Sequence, residues 1–113
     1  MTLPSLQKFA DMTVNVLRED GAAAYLPTIV VDGEFFVVEG IPAEVDHRVA
    51  IQETIERKGL SHGEYLFGVR SGNGEITVGR RSSEGMEFMA IRELDDGLRC
   101  SVLSHCEWWN SGL

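Results

Sequence analysis

The chain has 113 residues, of which 43% are apolar and 25% are charged, and it carries a net charge of −8. This length and composition are typical of one folded domain, here residues 1–113, and exclude fibrous and strongly disordered classes. The negative charge repels phosphate backbones and anionic lipid surfaces, so we expect neither a nucleic-acid partner nor a membrane partner.

The first predicted element is an amphipathic helix over residues 3–19. At 100° per residue, one broad arc of this segment is almost entirely apolar. Its members are Leu3, Leu6, Phe9, Ala10, Thr13, Val16 and Leu17. Pro4 suits a first helical turn and Gly21 suits a C-terminal cap, so the helix is expected to bury one face.

A β-hairpin is predicted over residues 25–39. Two runs of β-branched and aromatic residues flank Asp32-Gly33, the dipeptide that favours a two-residue type I′ turn. Pro27 lacks a backbone donor, which indicates an edge position or a strand end. Apolar residues occupy consecutive positions in both runs, so both faces of the hairpin need cover, either within this chain or against a second molecule.

A second helix is predicted over residues 43–58, ended by Gly59 and begun at Pro42 or Asp46. Apolar residues on two flanks, Val45 with Val49 and Ile51 with Ile55, frame the row Arg48, Gln52 and Glu56. One flank is expected to pack while the polar row is solvated. The alternative is that the row faces a partner or a polar cleft.

From residue 64 onward, four strands alternate with turn signals. The strands are predicted at 65–70, 75–81, 86–94 and 98–108, with turns at 71–74 and 95–97. The expected fold is therefore α+β, with an antiparallel sheet of five to six strands and two helices in the order α-β-β-α-β-β-β-β.

Residues typical of catalysis or metal binding do not form a recognisable motif. His47 beside Asp46 is expected to lie at a capped helix start, and His62 lies in a loop. His105-Cys106 has soft-ligand chemistry with Cys100, but the close ligand pair typical of zinc sites is missing. The sequence also lacks a G-x-S-x-G elbow. We therefore expect no metal and no cofactor. The lack of a motif favours a non-catalytic protein, but enzyme activity stays open, because two carboxylates in a cleft would suffice for acid–base work.

The cysteines and the start of the chain favour a cytoplasmic protein. Cys100 and Cys106 would lie about 20 Å apart in one straight strand, too far for a disulfide. The opening residues MTLPSLQKF lack the basic start and apolar core of a signal peptide, and no run is long enough to cross a bilayer.

Three arginines on neighbouring predicted strands form the candidate ligand-binding set. Arg70, Arg80 and Arg81 could hold a carboxylate or phosphate if their guanidinium groups cluster. The alternative is that they are ordinary surface arginines.

The aromatic end of the chain supplies the candidate interface. Trp108 and Trp109 are adjacent, so at least one of them should cover apolar surface, and Trp is typical of interface anchors. Phe36 and Val38 of the hairpin are the other candidate interface residues. The pattern of the two Trp residues fits either of two roles, covering the core of this chain or forming an interface with another molecule.

Three hypotheses for function follow. The first is a non-catalytic binding or protein-interaction module that self-associates, as a dimer, through the sheet or the Trp-bearing end. The second is an acidic inhibitor or immunity-type protein that binds a basic partner. The third is a small-molecule anion-binding or enzymatic cleft between helix and sheet, lined by Arg70, Arg80 or Arg81.

Overall fold

A computed structural model describes residues 3–72 and 74–110, without the side chain of residue 110. The elements in chain order are α1 (Leu6–Asp20), a 3-10 turn (Ala22–Ala24), β1 (Thr28–Val31), β2 (Glu34–Val37), α2 (His47–Arg57), β3 (Tyr65–Gly72), β4 (Glu75–Ser82), β5 (Gly85–Leu94), β6 (Gly97–Leu103) and α3 (Glu107–Asn110). No helix within the described ranges is both long enough and apolar enough to span a bilayer.

The six strands form one antiparallel sheet in the order β2-β1-β3-β4-β5-β6. Strands β3 to β6 are consecutive neighbours, so the predicted meander is confirmed. The first hairpin joins it through β1, which pairs with β3. The predicted α+β class and the order of the long elements are confirmed, and the short helix α3 is an addition.

The chain covers both faces of the sheet. One face, the α1-side core, packs against α1 and includes Leu66, Ile76, Val78, Met89 and Ile91 from the strands. The other face, the α2-side core, packs against α2 and includes Ile29, Tyr65, Phe67, Val69 and Phe88. Alternating side chains of each central strand therefore enter two separate hydrophobic clusters, which explains why those strands are apolar at nearly every position.

Helix α1 buries the predicted face with one exception. Leu6, Phe9 and Leu17 are buried, whereas Val16 is exposed. The helix begins later than predicted because the Ser5 hydroxyl accepts a hydrogen bond from the Lys8 amide at 3.1 Å and caps it. Gly21 ends the helix at φ +82°, as predicted.

The hairpin turn and the start of α2 follow from local chemistry. Asp32 and Gly33 have φ values of +52° and +77°, which confirms the type I′ turn. Helix α2 begins at His47, four residues later than residue 43, because the Asp46 carboxylate caps it through the Arg48 amide at 2.8 Å. Pro42 lies outside the helix, and Gly59 follows its end.

The predicted last strand was too long. Strand β6 ends at Leu103, and the Trp residues lie on the separate helix α3. Cys106 precedes this helix and is buried in the α2-side core, whereas Cys100 packs on the α1-side core. Both are free thiols on opposite faces of the sheet. Burial is the main cause that raises the pKa of each thiol above its ordinary value.

Candidate functional site

A cavity of about 690 Å³ opens at one end of the sheet, where β3 ends and β4 begins. We call it the Arg70 cavity. Residues of the 3-10 turn, the segment before α2, the first turn of α2 and the ends of β3 and β5 line it: Ala22, Ala23, Ile41, Pro42, Ala43, Val45, Asp46, His47, Arg48, Arg70, Ser71, Gly72, Gly74 and Glu93. The volume lies in the range that holds a small organic molecule.

Arg70 brings a fixed positive charge to this cavity. The side chain is half-buried at the end of β3, and its Nη1 donates a hydrogen bond to the Ala23 carbonyl at 2.8 Å. Among the residues that the structure describes, no carboxylate lies within ion-pair distance of Arg70. The guanidinium is therefore oriented by a neutral acceptor and forms no ion pair with a described carboxylate.

His47 is the second nitrogen-bearing group on the cavity wall. Its Nδ1 atom is buried and has no hydrogen-bond partner among the described residues. Burial lowers the pKa of His47 below its ordinary value of 6.5, and the positive charge of Arg70 lowers it further, with Asp46 acting in the opposite direction. Burial and the charge of Arg70 therefore both favour the neutral form of the His47 imidazole.

The neighbouring charged pair is already neutralised. Arg48 Nη2 lies 2.7 Å from Asp46 Oδ2, and Arg48 Nε donates to the same carboxylate. The hydrogen bonds from Arg48 hold the pKa of Asp46 below its ordinary value. This pair fixes the first turn of α2. Of the two arginines that line the cavity, Arg48 is thus paired with a carboxylate, and Arg70 is not paired with any described carboxylate. Glu93 also lines the cavity and is exposed to solvent.

Part of the cavity wall is apolar or small. Ile41, Pro42 and Val45 come from the segment before α2, and Gly72 and Gly74 flank the β3–β4 turn. Asn73, at the centre of the predicted 71–74 turn, lies outside the described residues. The wall thus offers an apolar surface beside the Arg70 guanidinium.

The structure does not bring the three candidate arginines together. Arg80 and Arg81 pair with Leu66 and Tyr65 at the opposite end of β3 from Arg70. Arg80 Nε donates to the Pro4 carbonyl at 2.9 Å, and its Nη1 lies 3.3 Å from Glu87, so this arginine ties the segment before α1 to the sheet. Of the predicted set, Arg70 alone lines the cavity.

The candidate interface residues all lie on the α2 side of the sheet. Trp109 stacks on Phe67 with ring centroids 4.5 Å apart, and Trp108 meets the same ring edge-on at 6.1 Å. Phe36 and Val38 pack at the margin of the same core, where the Lys58 ammonium lies 4.1 Å from the Phe36 ring centroid. These four side chains are half-buried as core cover, and their interface role stays a prediction.

One serine–histidine contact deserves comparison with a catalytic pair. Ser104 Oγ lies 3.3 Å from His105 Nδ1, and His105 Nε2 lies 4.0 Å from a Glu107 carboxylate oxygen. All three side chains are exposed, Ser104 and His105 between β6 and α3 and Glu107 at the start of α3, and none of them lines the Arg70 cavity. Within the described ranges, no three His, Cys, Asp or Glu side chains are placed to hold a metal ion.

The sequence analysis included Arg70 as a candidate but did not place His47 or the segment 41–45 at the same cavity. His47 follows Asp46, the N-cap of α2, and helix capping was a sufficient reason for the Asp46-His47 pair in the sequence. The signal that could have found it is the alternative reading of α2, in which its polar residues face a cleft.

Comparisons with protein-family models, curated proteins and solved structures give no match for this chain. Any account of its function therefore starts from the geometry of the Arg70 cavity and of the exposed surfaces.

Proposed function

We propose that the protein is a non-catalytic binding module whose ligand is a small organic anion held in the Arg70 cavity. The observation that supports this proposal is a half-buried guanidinium with no carboxylate partner among the described residues, on the wall of a cavity of about 690 Å³. A guanidinium binds carboxylate or phosphate oxygens through paired, charge-assisted hydrogen bonds. Arg70 uses one donor on Ala23 and retains others for such a ligand.

His47 gives the proposed site a second contact. An anion between Arg70 and His47 would offset the positive potential that lowers the pKa of His47. The imidazole would then bind a proton more readily, because the anion offsets part of the cost of its charged form. By linkage, an anion that raises the pKa of His47 binds more tightly as the pH falls through that pKa.

The apolar part of the wall indicates the kind of anion. Ile41, Pro42 and Val45 cannot hydrogen-bond a ligand through their side chains but can cover a carbon skeleton. The ligand class proposed here is therefore an oxyanion head group on a compact apolar body. Inorganic phosphate supplies the head group alone and should bind more weakly than phenyl phosphate or benzoate.

Replacing Arg70 with glutamine is expected to weaken binding of phenyl phosphate or benzoate by about 10-fold to 100-fold, the usual effect of losing a charged hydrogen bond. Isothermal titration calorimetry on the wild type and on Arg70→Gln measures the change. Arg81→Gln is the matched control, because it removes the same charge at the far end of β3 and should leave the affinity unchanged.

Equal affinities for the wild type and Arg70→Gln would contradict the proposed site, as would equal losses in the two variants. Loss of binding in Arg81→Gln alone would place the anion elsewhere. If calorimetry detects no binding of inorganic phosphate, phenyl phosphate or benzoate to the wild type, the proposed class of ligand is excluded.

A further inference from the structure

The outer edge of β2 carries unpaired backbone groups at two positions. Strand β2 is at one end of the sheet, and its hairpin register pairs Val31 with Glu34 across a two-residue turn. The Val38 amide donates to the Pro27 carbonyl at 2.9 Å. Because hydrogen-bonded residues alternate along an antiparallel pair, positions 34, 36 and 38 face β1. The N–H and C=O groups of positions 35 and 37 therefore point outward.

The same two positions carry exposed apolar side chains. Phe35 is 55% exposed and Val37 is 50% exposed, both on the face that α1 covers farther along the sheet. Two apolar residues of α1, Met12 and Val16, are also exposed. By helical periodicity they lie on the flank away from Asp11 and Arg18, whose charges act on Cys100 of β6, and so on the flank nearer β1 and β2.

We infer that the β2 edge is an interface with a second copy of this chain, formed by antiparallel pairing of the two β2 strands about a two-fold axis at Phe36. In this register Phe35 of each copy lies opposite Val37 of the other. Each such pair exchanges two backbone hydrogen bonds, so the four outward groups of each strand are all used. The same stretch of β2 therefore forms both sides of the interface, as a two-fold axis requires.

Side chains support the same register. On the α1 side, each Phe35 meets a Val37, an aromatic with β-branched pair that stabilises adjacent strands. On the α2 side, Lys58 lies over the ring of Phe36 and Glu34 shares that face. Pairing about Phe36 places Glu34 diagonally across from the second copy's Phe36, within reach of the Lys58 that covers it. Each copy thus offers a cation and a carboxylate to the other.

The opposite edge of the sheet, strand β6, has fewer exposed apolar residues on the face that packs against α1. Strand β6 has an exposed Val102, at 80%, but Leu98 and Cys100 on the same face pack against the α1-side core. The residues on the same face next to Val102 are Met89, which is buried, and Cys100, which packs inward, whereas Phe35 and Val37 are exposed together. Val102 therefore serves as the matched control for the β2 edge.

The test is the absolute mass of the full chain by light scattering across a range of concentrations. The wild type should reach the mass of a dimer, and the double variant Phe35→Lys/Val37→Lys should weaken association at least tenfold, since lysine on an edge strand opposes pairing. Val102→Lys should leave the dimer unchanged.

A second readout needs no variant. Amide hydrogen exchange at Phe35 and Val37 should slow as the protein concentration rises, because these outward amides become hydrogen-bonded in the dimer. A wild type that stays monomeric up to about 1 mM would overturn the inference. So would a dimer that Val102→Lys breaks and the double variant does not. Salt-sensitive capture of a basic protein by the same edge would also overturn it.

Discussion

Replacing Phe67 with alanine is expected to lower the free energy of unfolding by about 3 to 5 kcal/mol, the usual range for removing a buried phenyl ring. Phe67 is fully buried at the centre of the α2-side core. Its ring stacks on Trp109 and meets Phe88 edge-on at 6.4 Å. The truncation would leave a cavity and remove the surface on which α3 is seated. Such a loss is a large share of the roughly 5 to 15 kcal/mol that stabilises an ordinary domain.

Urea unfolding followed by tryptophan fluorescence measures this effect. Phe67→Leu keeps most of the volume and should lose less than about 1.5 kcal/mol, so it provides a folded variant if the alanine variant does not fold. Val102→Ala, at an exposed position, is the control and should change the free energy by less than about 0.5 kcal/mol. A loss below about 1 kcal/mol for Phe67→Ala would contradict the packing described for α3.

The second large effect is expected for Gly79→Ala. Gly79 lies opposite Phe67 in the β3–β4 pair, and a Cβ atom there would overlap the Phe67 ring, with Cζ only 2.7 Å away. The ring cannot move freely, because Trp109 stacks on it. Forcing a methyl group into this contact should lower the free energy of unfolding by about 1 to 3 kcal/mol.

The double variant Gly79→Ala/Phe67→Leu tests the cause. If the clash is with the ring, the combined loss should be smaller than the sum of the single losses by at least about 0.5 kcal/mol. Gly63→Ala is the control, because its Cβ would meet only the Leu60 carbonyl at an ordinary 3.7 Å. Additive losses in the double variant would indicate that Gly79 is required for another reason.

These two residues also show where sequence reasoning stops. The Asp32-Gly33 turn and the Asp46 cap are local features, so the hairpin and the region of α2 were predictable from neighbouring residues. A glycine within a strand has no local reason to be there. The need for Gly79 appears only once the β3–β4 register places it under Phe67, and that register depends on contacts distant in sequence.

The same limit applies to the arginine set. Arg70 and Arg80 lie on adjacent strands, but the register places Arg80 opposite Leu66, four residues or about 13 Å along β3 from Arg70. Strand β2 was likewise predictable, but because apolar residues occupy consecutive positions in it, the face that α2 would cover was not. Phe36 and Val38 therefore stood as interface candidates, whereas Phe35 and Val37 are the exposed pair.

The anion proposal and the dimer inference occupy separate parts of the molecule. The Arg70 cavity lies at the β3–β4 turn, and the proposed interface lies along the outer edge of β2. Each therefore has variants that leave the other intact: Arg70→Gln should not change the solution mass, and Phe35→Lys/Val37→Lys should not change the affinity for phenyl phosphate. Failure of one proposal would leave the other standing.

The most direct test of the Arg70 cavity is the pKa of His47, followed by NMR of its imidazole with and without saturating phenyl phosphate. Without the anion, the pKa should lie below its ordinary value of 6.5, because the site is partly buried and faces Arg70. With the anion, the pKa should rise, and benzoate, which keeps one negative charge over this range, should bind more tightly at about pH 5.5 than at about pH 7.5. The imidazole signals of His62 and His105, which do not line the cavity, should not shift when phenyl phosphate is added. An unchanged His47 pKa in the presence of bound phenyl phosphate would contradict the proposed site.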